Sequence, residues 1–115
     1  MIDEIRAKIA NGLFEFSKHA VDQSLLRRIS VQELREAIDA GEVIEDYPND
    51  KYGPSCLIFG LTVVDRPLHA QCSYPSRPLL KIITLYEPDE NLWVDFKVRK
   101  SQDANWNVER NDARN

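Results

Sequence analysis

At 115 residues the chain has the length of one domain and needs no disulfide or metal staple to bury a core. Its 43% hydrophobic and 30% charged residues exclude collagen, coiled coil and wholesale disorder. Nineteen acids against fifteen bases give a net charge of −4, so a nonspecific nucleic-acid coat is excluded and any RNA role needs a local basic patch.

No apolar run approaches the ~20 residues that span a bilayer. The acidic start, Met1-Ile2-Asp3-Glu4, lacks the basic-then-apolar pattern of a secretory leader, and a cytoplasmic location is expected. Cys56 and Cys72 lie in apolar runs without ligand spacing, so they are expected to be reduced core residues. No metal or other cofactor is expected.

Ile2, Ile5 and Ile9 recur at helical steps, with Gly12 placed to end the segment. After Phe14 and Phe16, Ser17 caps a second helix predicted from about Lys18 to Arg28. Its expected apolar stripe is Val21, Leu25 and Ile29, and its polar stripe is His19, Gln23 and Arg27. Ser30-Val31-Gln32-Glu33 fits a capping box for a third helix. Val31, Leu34, Ala37 and Ile38 form its expected buried face, and Gly41 sits at C′.

From Glu42 the period becomes two. Val43 to Tyr47 reads as a strand, and Pro48 to Pro54 as a loop. Ser55 to Val64 reads as a central strand buried on both faces, with Gly60 a candidate bulge. Leu68, Ala70, Cys72 and Tyr74 point one way while His69, Gln71 and Ser73 point the other. Leu80 to Tyr86 is a further strand, and Leu92, Val94, Phe96 and Val98 alternate as a possible edge strand. The pattern predicts an α+β domain over residues 1–101: two or three helices on a four- or five-stranded antiparallel sheet. Residues 102–115 are expected to be a polar, partly disordered tail, with Trp106 its one large apolar anchor.

Phe16-Ser17-Lys18-His19-Ala20, Arg27, Ile29-Ser30 and Gly41-Glu42-Val43-Ile44-Glu45 together resemble the DUF4258 family. Pro54-Ser55-Cys56-Leu57, Arg66-Pro67-Leu68-His69 and Ile83 to Asp89 ahead of Trp93 extend the resemblance from about Phe14 to Arg99. It implies a RelE/ParE-like fold and a toxin component related to ribonucleases, often accompanied by a zinc-ribbon antitoxin. One position departs from the family pattern: Gln23 stands where an arginine is usual.

Metal-independent RNA cleavage needs proton transfer and cations for phosphate, which histidine and arginine supply. His19, His69, Arg27 and Tyr86 are therefore the expected catalytic residues. Arg28, Arg66, Lys81, Lys97 and Arg99 are the cations expected to contact RNA. Each has a structural alternative: a helix-end cap for His19, a cross-sheet hydrogen bond for His69, a solvated charge for the cations, a half-buried strand position for Tyr86. Trp93 and Trp106 are candidates for base stacking, with burial the commoner fate of a tryptophan. The rival reading is a non-catalytic protein-binding module on the same fold.

Overall fold

The computed structural model describes residues 1–101. The expected tail and Trp106 lie outside the described residues. In chain order the elements are α1 (Ile2–Ala10), β1 (Phe14–Phe16), α2 (Lys18–Arg27), α3 (Val31–Asp39), β2 (Glu42–Tyr47), β3 (Ser55–Leu61), β4 (Pro67–Ser73) and β5 (Leu80–Tyr86). A short hairpin, β6 (Trp93–Val94) and β7 (Val98–Arg99), follows. Among the described residues no helix is long and apolar enough to cross a membrane.

The α+β class holds, but the sheet is mixed rather than antiparallel. Its order is β1-β5-β4-β3-β2, and β1 runs parallel to β5, with Phe14 opposite Leu80 and Phe16 opposite Ile82. The residues from Leu92 to Val98 are not an edge strand of this sheet. They form the separate β6–β7 hairpin, with Val94 opposite Val98.

Helix α3 starts as its sequence dictates. The Ser30 hydroxyl accepts from the Glu33 amide at 3.0 Å, and the Glu33 carboxylate accepts from the Ser30 amide at 2.9 Å. Leu34, Ala37 and Ile38 are buried, whereas Val31 in the first turn is exposed. Gly41 occupies C′ without a left-handed backbone. It is small because a Cβ there would sit 2.7 Å from the Ala37 carbonyl oxygen.

Gly60 is not a bulge either. It pairs in register with Leu68, and the irregularities fall between Val43 and Glu45 and between Gln71 and Cys72. Helix α3 lies so close to β3 that a Cβ on Gly60 would fall 1.8 Å from the Ala37 carbonyl oxygen.

Helix α2 departs most from its expected pattern. It ends at Arg27, with Arg28 in the left-handed region at φ 54°. Ala20 is its buried residue, and of the expected stripe only Ile29, beyond the helix, is buried. Val21, Leu25 and Leu26 face solvent. The helix rotates so that Ala20, rather than a larger side chain, packs in the core cluster. Its entry is fixed by Ser17, whose hydroxyl donates to the Ile83 carbonyl at 2.8 Å and accepts from the Ala20 amide at 3.0 Å.

The helices cover one face of the sheet, where Ile58, Leu68, Ala70, Cys72, Leu80, Ile82 and Leu85 meet Ile5, Ile9, Leu34 and Ile38. Alternation along each strand turns Glu45, Tyr47, Leu57, Phe59, His69, Gln71, Lys81 and Tyr86 to the opposite face. The β6–β7 hairpin folds over one end of that opposite face.

Candidate functional site

The face away from the helices gathers polar side chains around His69. The ring is fully buried between aromatic neighbours: Trp93 at 4.5 Å and 89°, Tyr86 at 5.3 Å, and Phe59 at 5.9 Å between centroids. Its Nε2 lies 2.6 Å from the Phe96 carbonyl oxygen, and its Nδ1 lies 3.3 Å from the Tyr86 hydroxyl. A carbonyl only accepts, so Nε2 carries the proton and Nδ1 accepts from Tyr86 in the neutral ring. Desolvation lowers the His69 pKa below its ordinary value, and the Phe96 carbonyl opposes this only in part. His69 is thus neutral, with both nitrogens engaged and no ring surface open to solvent.

Beside it lies a cluster that the sequence pattern does not single out. Arg99 donates from Nε to Glu45 Oε2 at 2.9 Å and from Nη2 to Oε1 at 3.2 Å, a bidentate pair. The Tyr47 hydroxyl donates to the same carboxylate. The guanidinium also lies over the Trp93 ring, 4.7 Å from its centroid. Burial works against the charge on Glu45, but the hydrogen bonds from Arg99 and Tyr47 outweigh it and leave its pKa below the ordinary carboxylate value. Desolvation, reinforced by Glu45, pushes the Tyr47 phenol up to about 12. Tyr86 is shifted upward as well, mainly by desolvation.

Glu45 and Tyr47 carry a signal in retrospect: they alternate on β2, which turns both to the face that also bears His69 and Tyr86. What the chain itself does not show is that a hairpin 54 residues later brings Arg99 back to Glu45.

Of the residues expected to act, the structure brings together His69, Tyr86 and Arg99. His19 is elsewhere, exposed in the first turn of α2 in the helical layer. Arg27 ends the same helix and donates from Nε to Gln23 at 2.5 Å. Arg66 is a clamp: it donates to the carbonyls of Arg28 at 2.9 Å and Arg27 at 3.0 Å, and pairs with Glu33 at 2.9 Å and with Glu87. Those bonds tie the C-terminal end of α2 to the start of α3 and the end of β5. Lys97 pairs with Glu42 at 3.0 Å, and Lys81 lies 3.9 Å from Glu15. Of the five cations expected to bind RNA, Arg66, Lys81, Lys97 and Arg99 therefore already face a carboxylate. Trp93 is buried and presents no stacking face. Among the described residues, no three His, Cys, Asp or Glu side chains gather as a metal-binding group.

The architecture is that of a small α+β domain with a carboxylate–arginine–tyrosine cluster on the sheet face opposite its helices. The model of the family described as "Domain of unknown function (DUF4258)" matches residues 16–87. The chain belongs to that family. Glu45, Tyr47, His69 and Tyr86 lie within the matched span, whereas Arg99 and its hairpin lie beyond it. Comparison with curated proteins and with solved structures gave no match.

Proposed function

We propose that this chain is a toxin-like RNA endonuclease of RelE/ParE-like ancestry, working by general acid–base chemistry in the cytoplasm. The observation that carries the reading is the bidentate Glu45–Arg99 pair with Tyr47 on the face opposite the helices. Glu45 stays ionised at neutral pH and is suited to take the proton from a ribose 2′-hydroxyl. Arg99 bears charge at every relevant pH and presents its remaining N–H groups to a phosphate whose negative charge builds up in the transition state. Tyr47, whose hydroxyl is hydrogen-bonded to Glu45, would give its proton to the departing 5′-oxygen and regain one from Glu45, which holds the proton taken from the 2′-hydroxyl. His69 and Tyr86 act as positioning residues: His69 holds the Phe96 carbonyl, and with it the hairpin that delivers Arg99. A protein antitoxin, zinc-ribbon or other, would restrain the activity by covering this face.

The test is cleavage of single-stranded RNA by the purified protein, with products scored for a 2′,3′-cyclic phosphate end. Glu45→Gln and Arg99→Ala should each lower the rate by at least about a hundredfold, the scale of removing a general base or an oxyanion ligand. Wild-type rates in both variants, with melting curves unchanged, would refute the assignment.

A second reading, a non-catalytic protein-binding module, is favoured by the exposed Val21, Leu25 and Leu26 on α2. If wild-type protein cleaves no RNA while Leu25→Glu abolishes binding to the product of a neighbouring gene, that reading replaces the first.

A further inference from the structure

A cavity of about 420 Å³ opens between the loop joining β2 to β3 and strands β4 and β5. Ser73 and Lys81 from the strands, Arg77 from the loop between them, and Asp50 and Tyr52 from the β2–β3 loop are among the residues that line it. We propose that this cavity is a nucleotide subsite for single-stranded RNA, with a base stacked on Tyr52 and its phosphate held by Arg77 and Lys81. The inference rests on the RNA-directed reading above, and it concerns binding rather than cleavage.

Tyr52 is 87% exposed, the most exposed large apolar side chain among the described residues, so packing does not account for it. The loop beneath it is nonetheless well fixed. Asp50 accepts from the Tyr52 amide at 3.2 Å and from the Ser55 hydroxyl at 3.2 Å. The Gly53 amide donates to the Asp50 carbonyl at 2.9 Å, with Gly53 at φ +112°, and the Pro54 carbonyl accepts from the Tyr74 amide at 3.1 Å. With the backbone fixed, only the two side-chain torsions of Tyr52 remain to be ordered on stacking. The Lys51 ammonium lies over the same ring, 5.0 Å from its centroid, a further cation beside the aromatic.

Arg77 and Lys81 each lie 3.9 Å from the single carboxylate of Glu15. These are the loose, partly exposed pairs that contribute little and yield to a stronger anion. The two cations share one acid, which leaves a positive charge at the rim. Asp50, the acid that lines the cavity, has both oxygens committed to its own loop.

Size and position narrow the ligand. The volume falls in the ~300–1,000 Å³ range of small-molecule pockets, which suits one splayed nucleotide and excludes a duplex. Ser73 stands on the same side of β4 as His69, four residues away, or roughly 13 Å at the rise of an extended strand. A single strand lying along this face would reach both the cavity and the Glu45–Arg99 cluster. Trp93, one of the stacking candidates of the sequence, is buried, and the exposed aromatic at the cavity is Tyr52.

The experiment is fluorescence anisotropy of a labelled single-stranded oligoribonucleotide against the full chain carrying Glu45→Gln, so that cleavage cannot intervene. Adding Tyr52→Ala should weaken binding roughly five- to hundredfold, the span of one base–aromatic stack. Arg77→Ala with Lys81→Ala should make the salt dependence shallower by about 0.7 for each phosphate no longer neutralised. Circular dichroism confirms the fold in each case, and the exposure of Tyr52 makes unfolding there no obstacle. Unchanged affinity in both variants would overturn the inference, as would equal affinity for a duplex of the same sequence. If wild-type protein binds through Tyr52 yet cleaves nothing, the subsite stands and the endonuclease reading falls. If it cleaves RNA while binding is independent of Tyr52, the subsite falls and the endonuclease reading stands.

Discussion

The two faces of the sheet obey different rules. The helix-covered face is aliphatic and closely packed, with Ala37 resting on Gly60 and no charged side chain in its buried cluster. The opposite face carries Glu45, Tyr47, His69, Lys81 and Tyr86, and is covered at one end by a two-stranded hairpin held through polar and aromatic contacts. One face is specified by volume, the other by hydrogen bonds and charge. Substitutions on the first should therefore act through packing, and conditions that change protonation should act through the second.

The sharpest break of the packed face is Gly60→Ala. The added methyl would meet a backbone carbonyl, which cannot swing aside as a flexible side chain would. Overpacking costs about 1–3 kcal/mol where neighbours can give, and this site should exceed that range. Denaturant melts should show a protein barely folded or unfolded, and a loss under about 1 kcal/mol would mean that α3 is free to lift from β3.

The polar face should instead respond to pH. The folded-state pKa of His69 lies below its ordinary value of 6.5, so the unfolded chain binds more protons once pH falls beneath that value. Stability is then fully present above pH 6.5 and declines as pH falls from there toward the folded pKa. Glu33 and Glu45, both shifted below the ordinary carboxylate value of 4.5, lose their contribution only below that lower value. Thermal melts from about pH 7.5 to about pH 5 should thus fall in a window set by His69, and the fall should flatten in His69→Gln. An identical slope in that variant would show that another group sets the window.

How much of this is legible in the sequence also divides by face and by range. The capping box at Ser30 and the buried run of β3 are local signals; the box appears where the spacing puts it, whereas the strand read as Ser55 to Val64 ends at Leu61, and Val63 and Val64 are exposed in the turn that follows. The three residues of β1 are too few to show a period, and their partners lie 66 positions further along the chain. The arrival of Arg99 at Glu45, 54 residues away, is a tertiary event with no local trace. Gly60 shows the same limit: its smallness is readable, but whether it serves a bulge or a helix contact depends on what crosses above it.

A smaller effect checks the local signal directly. Ser30→Ala removes the hydroxyl that accepts from the Glu33 amide and should cost about 1 kcal/mol, as the removal of an N-cap does. Because Glu33 also meets Arg66, the reciprocal variant Glu33→Ala should cost at least as much. An unchanged midpoint in Ser30→Ala would show the box to be dispensable.

The smallest expected effect separates the two helices most cleanly. Leu25 and Leu34 are the same residue in neighbouring helices, and the periodicity of apolar residues assigns both to the core. In the fold Leu34 is fully buried while Leu25 is 75% exposed. Leu34→Ala should therefore cost about 2–5 kcal/mol, the range for a buried leucine truncated in a core. Leu25→Ala removes almost no buried surface and should move stability by no more than about 0.5 kcal/mol, since alanine also favours the helix. Paired chemical melts of the two variants give the comparison in one measurement. A Leu25 effect approaching that of Leu34 would mean that α2 turns its apolar stripe inward in solution. Val21, Leu25 and Leu26 would then be core residues, and the protein-binding reading would lose the surface on which it stands.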